Sequence, residues 1–234
     1  MKLGIKISIL ILLIFRLNLN SQNNNCAKKI FELNPALING KIYSFSPPKD
    51  MKGSPYLFTN NKENIFFNGN ITIQDICYKN LSINYDIYNQ KLLLKFPFID
   101  FGEKIIEISE AWLQYFHING KKFILEKDDN NFNKIYQIIG EKNLKFYYYW
   151  YNRIEMRSNL DGYTYYFSSP QKKMYLKKAE LILQFKNNRT LIKLFDFDNE
   201  QSKKIKTYLK KNQLKVKKAS DDEMLKLINF CNTL

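Results

Sequence analysis

The side chains best able to do chemistry are crowded into one run, Phe146-Tyr147-Tyr148-Tyr149-Trp150-Tyr151. Successive side chains of a β-strand point to opposite faces, so Phe146, Tyr148 and Trp150 share one face and Tyr147, Tyr149 and Tyr151 the other. One set lines a core. The other is either covered by C-terminal helices or left as a flat aromatic platform, the kind of surface that stacks on sugar rings or fills the centre of a protein interface. Aromatic residues are also ordinary strand formers, and core packing by itself accounts for much of the run. A second candidate surface is cationic: a helix that carries Ile205, Tyr208 and Leu209 inward turns Lys203, Lys204, Lys206, Lys210 and Lys211 outward. Tyr147, Tyr149, Tyr151, Lys203, Lys206 and Lys210 are therefore the residues expected to meet a partner.

Catalytic constellations are scarce. The single histidine, His117, would have to carry any Ser-His-Asp relay. It falls in an alternating strand, Trp112 to Ile118, beside an Asn-Gly turn, where it reads as a surface or core side chain that titrates with pH. Eight glycines include no phosphate-cradling loop. Asp196, Asp198 and Glu200 resemble the start of a calcium loop but lack its turn glycine and distal Glu, and helix capping explains them. Glu107 with Glu110, or Asp128 with Asp129, are the pairs a glycosidase would need, and sequence does not give the distance between carboxylates. No catalytic residue, cofactor or metal is expected.

The elements that must hold these residues are legible from turns and alternation. Between residues 22 and 58 the chain is irregular, because Pro35, Pro47, Pro48 and Pro55 forbid a long helix and limit strands to edge pieces. Over 59–186 comes a series of about ten short strands. Asn68-Gly69 is expected to turn Ile65-Phe66-Phe67 into Ile71-Thr72-Ile73, and Asn119-Gly120 to join Trp112–Ile118 to Lys121–Leu125, since Asn-Gly supplies the positive φ angles of a type I′ turn. Tyr88-Asn89-Gln90 turns the strand at Leu81–Tyr85 into Leu92-Leu93-Leu94. Further strands are placed at Ile105–Ile108, Ile135–Ile139, Leu144–Met156, Tyr163–Phe167, Met174–Leu176 and Leu181–Phe185. Helices occupy 187–234: one over Thr190–Phe195 capped by Asn188, a second started by Asp198 or Asn199, and a third with a Ser220/Glu223 capping box and a stripe of Leu225, Ile228 and Cys231. The fold class is mainly β, an antiparallel meander forming a barrel-like sheet or a sandwich, with the helices packed on it.

The N-terminus reads as an address. Lys2 and Lys6 precede an apolar run from Ile7 to Phe15, far shorter than the roughly 20 residues of a spanning helix. Ser21 is the small residue that places cleavage before Gln22, making 1–21 a signal peptide and the mature chain exported, periplasmic or extracellular, with association to the outer membrane left open; short, charge-interrupted strands and a closing helix argue against an outer-membrane barrel. Three Asn before Cys26 argue against lipid attachment. The net charge is +15. Gln22–Gly140 holds 14 basic and 12 acidic residues, and Glu141–Leu234 holds 20 and 10, so the excess lies C-terminal. In an exported chain such a balance points to an anionic polymer, lipid head groups or an acidic protein face rather than to nucleic acid. Cys26, Cys77 and Cys231 allow one disulfide, and Cys26 with Cys231 would tie both ends of the chain.

The Asn-, Lys- and Ile-rich composition, Gly53-Ser54-Pro55-Tyr56-Leu57, the strand ending in Tyr85-Asp86-Ile87-Tyr88 and the closing Lys-rich helices resemble uncharacterised exported envelope proteins of the Bacteroidetes type. The resemblance implies export and a β-rich fold and transfers no active-site residue. The function read from the chain is a non-enzymatic envelope protein that binds a protein partner or an envelope polymer, as an accessory subunit of an envelope complex. The alternative is a glycan-binding or carbohydrate-active domain, and a third reading is a structural subunit whose sheet edge pairs with a partner strand. Facing carboxylates in a cleft beside Tyr149 or Trp150 would favour the enzyme, and scattered acids on a convex surface the binder.

Overall fold

In the computed structural model, residues 37, 40–48, 50–60, 65–98, 102–128, 130–159 and 162–234 are described. The expected leader, its cleavage point and Cys26 lie outside them. The alternating runs form thirteen described strands: β1 (Lys41–Ile42), β2 (Phe67–Ile73), β3 (Ile76–Asp86), β4 (Lys91–Phe98), β5 (Gly102–Glu107), β6 (Leu113–Ile118), β7 (Lys121–Lys127), β8 (Asn133–Ile139), β9 (Leu144–Tyr151), β10 (Ile154–Asn159), β11 (Gly162–Phe167), β12 (Gln171–Lys178) and β13 (Leu181–Phe185). Eleven of them join in one antiparallel sheet of order β1-β5-β4-β3-β2-β6-β7-β8-β9-β12-β13, and β10 pairs with β11 in a separate hairpin. The class is therefore mainly β, with C-terminal helices α1 (Asn188–Phe195), α2 (Asn199–Lys211) and α3 (Asp221–Cys231). The sheet is open, with edges at β1 and β13, and does not close into a barrel.

It curls strongly instead. Tyr85 on β3 and Phe123 on β7 stand three ladders apart, about 14 Å across a flat sheet, yet their ring centroids are 5.7 Å apart. Gln90, in the turn just before β4, donates from Nε2 to the Trp150 carbonyl near the end of β9, at 2.9 Å. The concave side thus encloses a first core of Ile71, Tyr78, Ile83, Tyr85, Leu94, Phe116, Phe123 and Ile135. A second core lies where the helices cover the far end of the sheet: Phe146, Tyr148, Leu176 and Phe185 meet Leu191, Phe195, Ile205, Leu209, Leu227 and Ile228. Trp150 packs against both.

Several elements differ from expectation, each for a local reason. Asn68-Gly69 makes no turn: it lies inside β2, and Gln74-Asp75, with φ of 48° and 64°, turns β2 into β3. Gly69 is there because β2 is paired on both sides and a bulge follows it. Asn119-Gly120 does turn β6 into β7, both with positive φ. The run Leu144–Met156 is cut at Asn152, whose buried side chain donates to the Ser54 carbonyl at 2.8 Å, and β10 leaves the main sheet. Asn187 rather than Asn188 caps α1, and the Asn188 side chain instead holds the loop after α2 by donating to the Leu214 carbonyl and accepting from Val216 N–H. The buried stripe of α3 is Met224, Leu227, Ile228 and Cys231, and Leu225 faces solvent. A disulfide and a free thiol are both present, but the pairing of Cys26 with Cys231 is overturned: Cys77 is disulfide-bonded, while Cys231 is a free, buried thiol whose burial pushes its pKa up to about 12. A cysteine on the inner stripe of α3 packs as a small apolar residue.

Candidate functional site

β9 is built as its alternation demands. Phe146 and Tyr148 enter the helix-covered core, and Tyr147 faces the opposite side, packed with Tyr136, Ile182, Ile124, Ile138, Tyr149 and Tyr175. The expected platform is therefore layered. Tyr147 is only 3% exposed and lies beneath its neighbours; burial, with the Glu126 carboxylate beside it, holds its hydroxyl well above the usual range. Tyr149 and Tyr151 are half-buried and stack on each other, with centroids 6.3 Å apart and planes 21° apart. An ammonium stands over each: Lys134 is 5.5 Å from the Tyr149 centroid and Lys173 5.5 Å from that of Tyr151. Sequence reasoning missed both lysines. Lys173 sits directly across the ladder from Tyr149, which becomes apparent only once the β9–β12 register is known.

The acids around this face are neutralised. Lys134 holds Asp128 at 2.6 Å, and Lys177 holds Glu126. On the helix side, Trp150 Nε1–H donates to Gln137 Oε1 at 2.8 Å, and Gln137 Nε2–H donates to Asp221 Oδ2 at 2.7 Å, the same oxygen that Lys121 contacts. This chain bridges β8 and β9 where their ladder, only three residue pairs long, ends. Glu110, of the other expected acid pair, is held by Lys91 at 2.7 Å. Asp196 takes the left-handed C-cap of α1, Asp198 caps α2 and Glu200 lies in its first turn, so these three acids serve helix ends. Among the described residues no cluster of three His, Cys, Asp or Glu could hold a metal ion.

Lys203, Lys206 and Lys210 are exposed along one side of α2. They form a crest between a groove lined by Ile192, Leu209 and Leu214 and another lined by Tyr208 and Phe230. Because the helices cover the Phe146/Tyr148 side, this stripe and the Tyr149/Tyr151 pair stand on opposite sides of the sheet and do not form one site.

His117, on β6, has its ring 5.7 Å from that of Tyr115. Burial, and then the charge of Lys122, lowers its pKa from the ordinary 6.5. The unfolded chain therefore takes up a proton as pH falls through the ordinary value while the folded chain stays neutral. Stability is full above that value and declines below it, until the folded imidazole is itself protonated. The urea midpoint is expected to fall between about pH 7.5 and 5.5 and to stay flat over that interval in His117→Gln; equal slopes in both proteins would refute this assignment.

No protein-family model, curated protein or solved structure matches this chain. Among the described residues no helix is long and apolar enough to cross a membrane.

Proposed function

We propose that this chain is an exported, non-enzymatic binding protein that holds an anionic envelope polymer on the tyrosine side of its sheet. The observation that carries this reading is the stacked Tyr149/Tyr151 pair with Lys134 and Lys173 over the rings. Aromatic faces of this kind stack on sugar rings, and the Lys173 ammonium, which unlike Lys134 is paired with no carboxylate among the described residues, is placed to meet acidic substituents. Acids held by lysines fit a binding surface better than a proton-transfer site, which needs carboxylates free to exchange protons with a substrate.

The test is retention of the protein on polymer isolated from its own cell envelope, washed at low and high salt. Tyr149→Ala/Tyr151→Ala is expected to weaken retention by about tenfold or more, equivalent to roughly 1.4 kcal/mol. Lys203→Gln/Lys206→Gln/Lys210→Gln is expected to leave it nearly unchanged. Equal retention of the tyrosine variant would remove the reading.

A protein partner is favoured by a different observation. The β10–β11 hairpin exposes Met156 (56%) and Tyr165 (50%), paired across the strands, together with Ile154. Its other face is stiffened by the Arg157 guanidinium 4.4 Å over the Tyr166 ring and by the Tyr166 hydroxyl shared between Arg157 and Glu155. Recovery of one stoichiometric envelope protein in a crosslinking pull-down, lost on Met156→Ser/Tyr165→Ser, would establish that reading.

A further inference from the structure

At the end of the sheet beside Tyr151, lysines from three separate segments line one cavity of about 470 Å³. Lys172 and Lys173 open β12, Lys186 follows β13, and Lys217 comes from the loop between α2 and α3. Tyr151, Gln171 and Gln184 complete the polar wall, and Met174 and Phe185 supply apolar surface. Met174 lies across from Phe185 in the ladder, which is why Lys172, Lys173 and Lys186 are brought to the same end.

The cavity wall contains no carboxylate, and none of the four lysines belongs to an ion pair among the described residues. Lys172 is the most constrained: its ammonium lies 3.8 Å from the Tyr148 centroid and 5.6 Å from that of Trp150. Burial lowers its pKa and the charge of Lys121 adds to this, while Asp221 opposes them. Asp221 is already engaged by Lys121 and Gln137. Asp221 lies outside the cavity wall and is shared with Lys121, so positive charge around the cavity exceeds negative, and a bound anion relieves that repulsion.

We propose that this cavity binds the phosphate of a phosphorylated sugar, with the sugar ring against Tyr151. Lys186 and Lys217 line the site together with Lys172 and Lys173, which leave β12 on its two faces, and a phosphate monoester carries roughly −1.5 to −2 at neutral pH, enough to meet two ammonium groups at once. The lining cations are all lysines, which meet phosphate as point charges. The volume lies in the lower part of the range of roughly 300–1,000 Å³ typical of small-ligand sites and suits one monosaccharide unit. The inference rests on the polymer reading for the identity of the phosphate's carrier, and the phosphate could belong to a free glycan or to a lipid head group.

Calorimetric titration of the folded chain with glucose 6-phosphate, glucose and inorganic phosphate tests it. Glucose 6-phosphate is expected to bind about tenfold or more tighter than either of the others, and Lys172→Gln/Lys186→Gln to lose about tenfold or more. Lys203→Gln/Lys206→Gln/Lys210→Gln, which removes more charge elsewhere, is expected to change affinity by no more than about twofold. Equal losses in both variants, or equal binding of glucose and glucose 6-phosphate, would overturn the proposal. Inorganic phosphate binding as tightly as the sugar phosphate would overturn the role given to Tyr151. Co-sedimentation with phosphatidylcholine vesicles, with and without phosphatidic acid, separates the sources: capture of the protein only by the acidic vesicles, abolished in Lys172→Gln/Lys186→Gln, replaces the sugar with a lipid head group. The two readings fail separately. Polymer retention unaffected by Tyr149→Ala, with sugar-phosphate binding intact, removes the polymer reading alone; polymer retention with no sugar-phosphate binding removes the cavity proposal alone.

Discussion

Gly69→Val is expected to lower the thermal midpoint by about 10 °C, from a loss of roughly 3 kcal/mol or more. A Cβ built on Gly69 falls 2.5 Å from the His117 carbonyl oxygen, 2.5 Å from Ile83 Cδ1 and 2.7 Å from Ile83 Cγ1. Neither side has room to yield. Ile83 is fully buried, and the His117 carbonyl belongs to β6, which is fixed to β7 on its other side. The two γ-methyls of valine extend the overlap into a strand paired on both edges. Gly120→Ala is the control: Gly120 has φ of +69° but nothing within 4 Å of the new carbon, so it carries only the conformational strain of about 1 kcal/mol. Calorimetric scans showing Gly69→Val no less stable than Gly120→Ala would refute the steric account.

The second large effect belongs to Asp86. Its side chain is 0% exposed. Oδ1 accepts from the Tyr88 and Asn89 backbone N–H groups, each at 2.9 Å, and Oδ2 accepts from Asn89 Nδ2 at 2.8 Å and the Tyr43 hydroxyl at 2.5 Å. One residue thus closes the β3–β4 turn and ties the segment after β1 to it. Asp86→Ala leaves four partly buried donors without this acceptor, and its expected cost is on the order of 3 kcal/mol. Asp86→Asn keeps an oxygen for the two backbone donors but turns an amide N–H toward Asn89 Nδ2, a donor that cannot accept it, whereas the Tyr43 hydroxyl can rotate and accept. In the Asp86→Ala chain, Tyr43→Phe removes one of the orphaned donors and should recover part of the loss, and urea titration of the parent, the two single variants and the double variant measures the coupling. A coupling of zero would show that the Tyr43 contact contributes nothing.

What the sequence revealed, and what it hid, divides along the range of the interactions involved. The hairpin at Asn119-Gly120, the turn at Tyr88–Gln90 and the capping box at Ser220 and Glu223 are encoded within a few residues, and all three are present. Asn68-Gly69 misleads for a physical reason: a glycine can serve positive φ or close approach, and the carbonyl that demands close approach comes from β6, far along the chain. The face assignment of the aromatic run followed from the twofold period of a strand, but Tyr147 is sealed by Tyr136 and Tyr175 from neighbouring strands. Lys172, Lys173, Lys186 and Lys217 could not be grouped in advance, because ladder register and the loop after α2 bring them together. In a chain where lysine is the usual surface residue, four more lysines carried no signal until their place around one cavity was known.

The strand order also has a kinetic meaning. Ladders β2–β3, β3–β4, β4–β5, β6–β7, β7–β8, β8–β9 and β12–β13 join consecutive strands; β1–β5 and β9–β12 attach edge pieces across intervening strands, and β2–β6 joins the meanders β2–β5 and β6–β9 across the whole of β3–β5. Two meanders can zip locally, but their seam must close a loop roughly ten times longer than a hairpin turn, at an added entropy cost of about 2 kcal/mol. Until it closes, β2 presents an unpaired edge, the form in which strands find wrong partners. Gly69 lies on that seam, so the position where the chain tolerates no side chain is also where its two halves must recognise each other during folding.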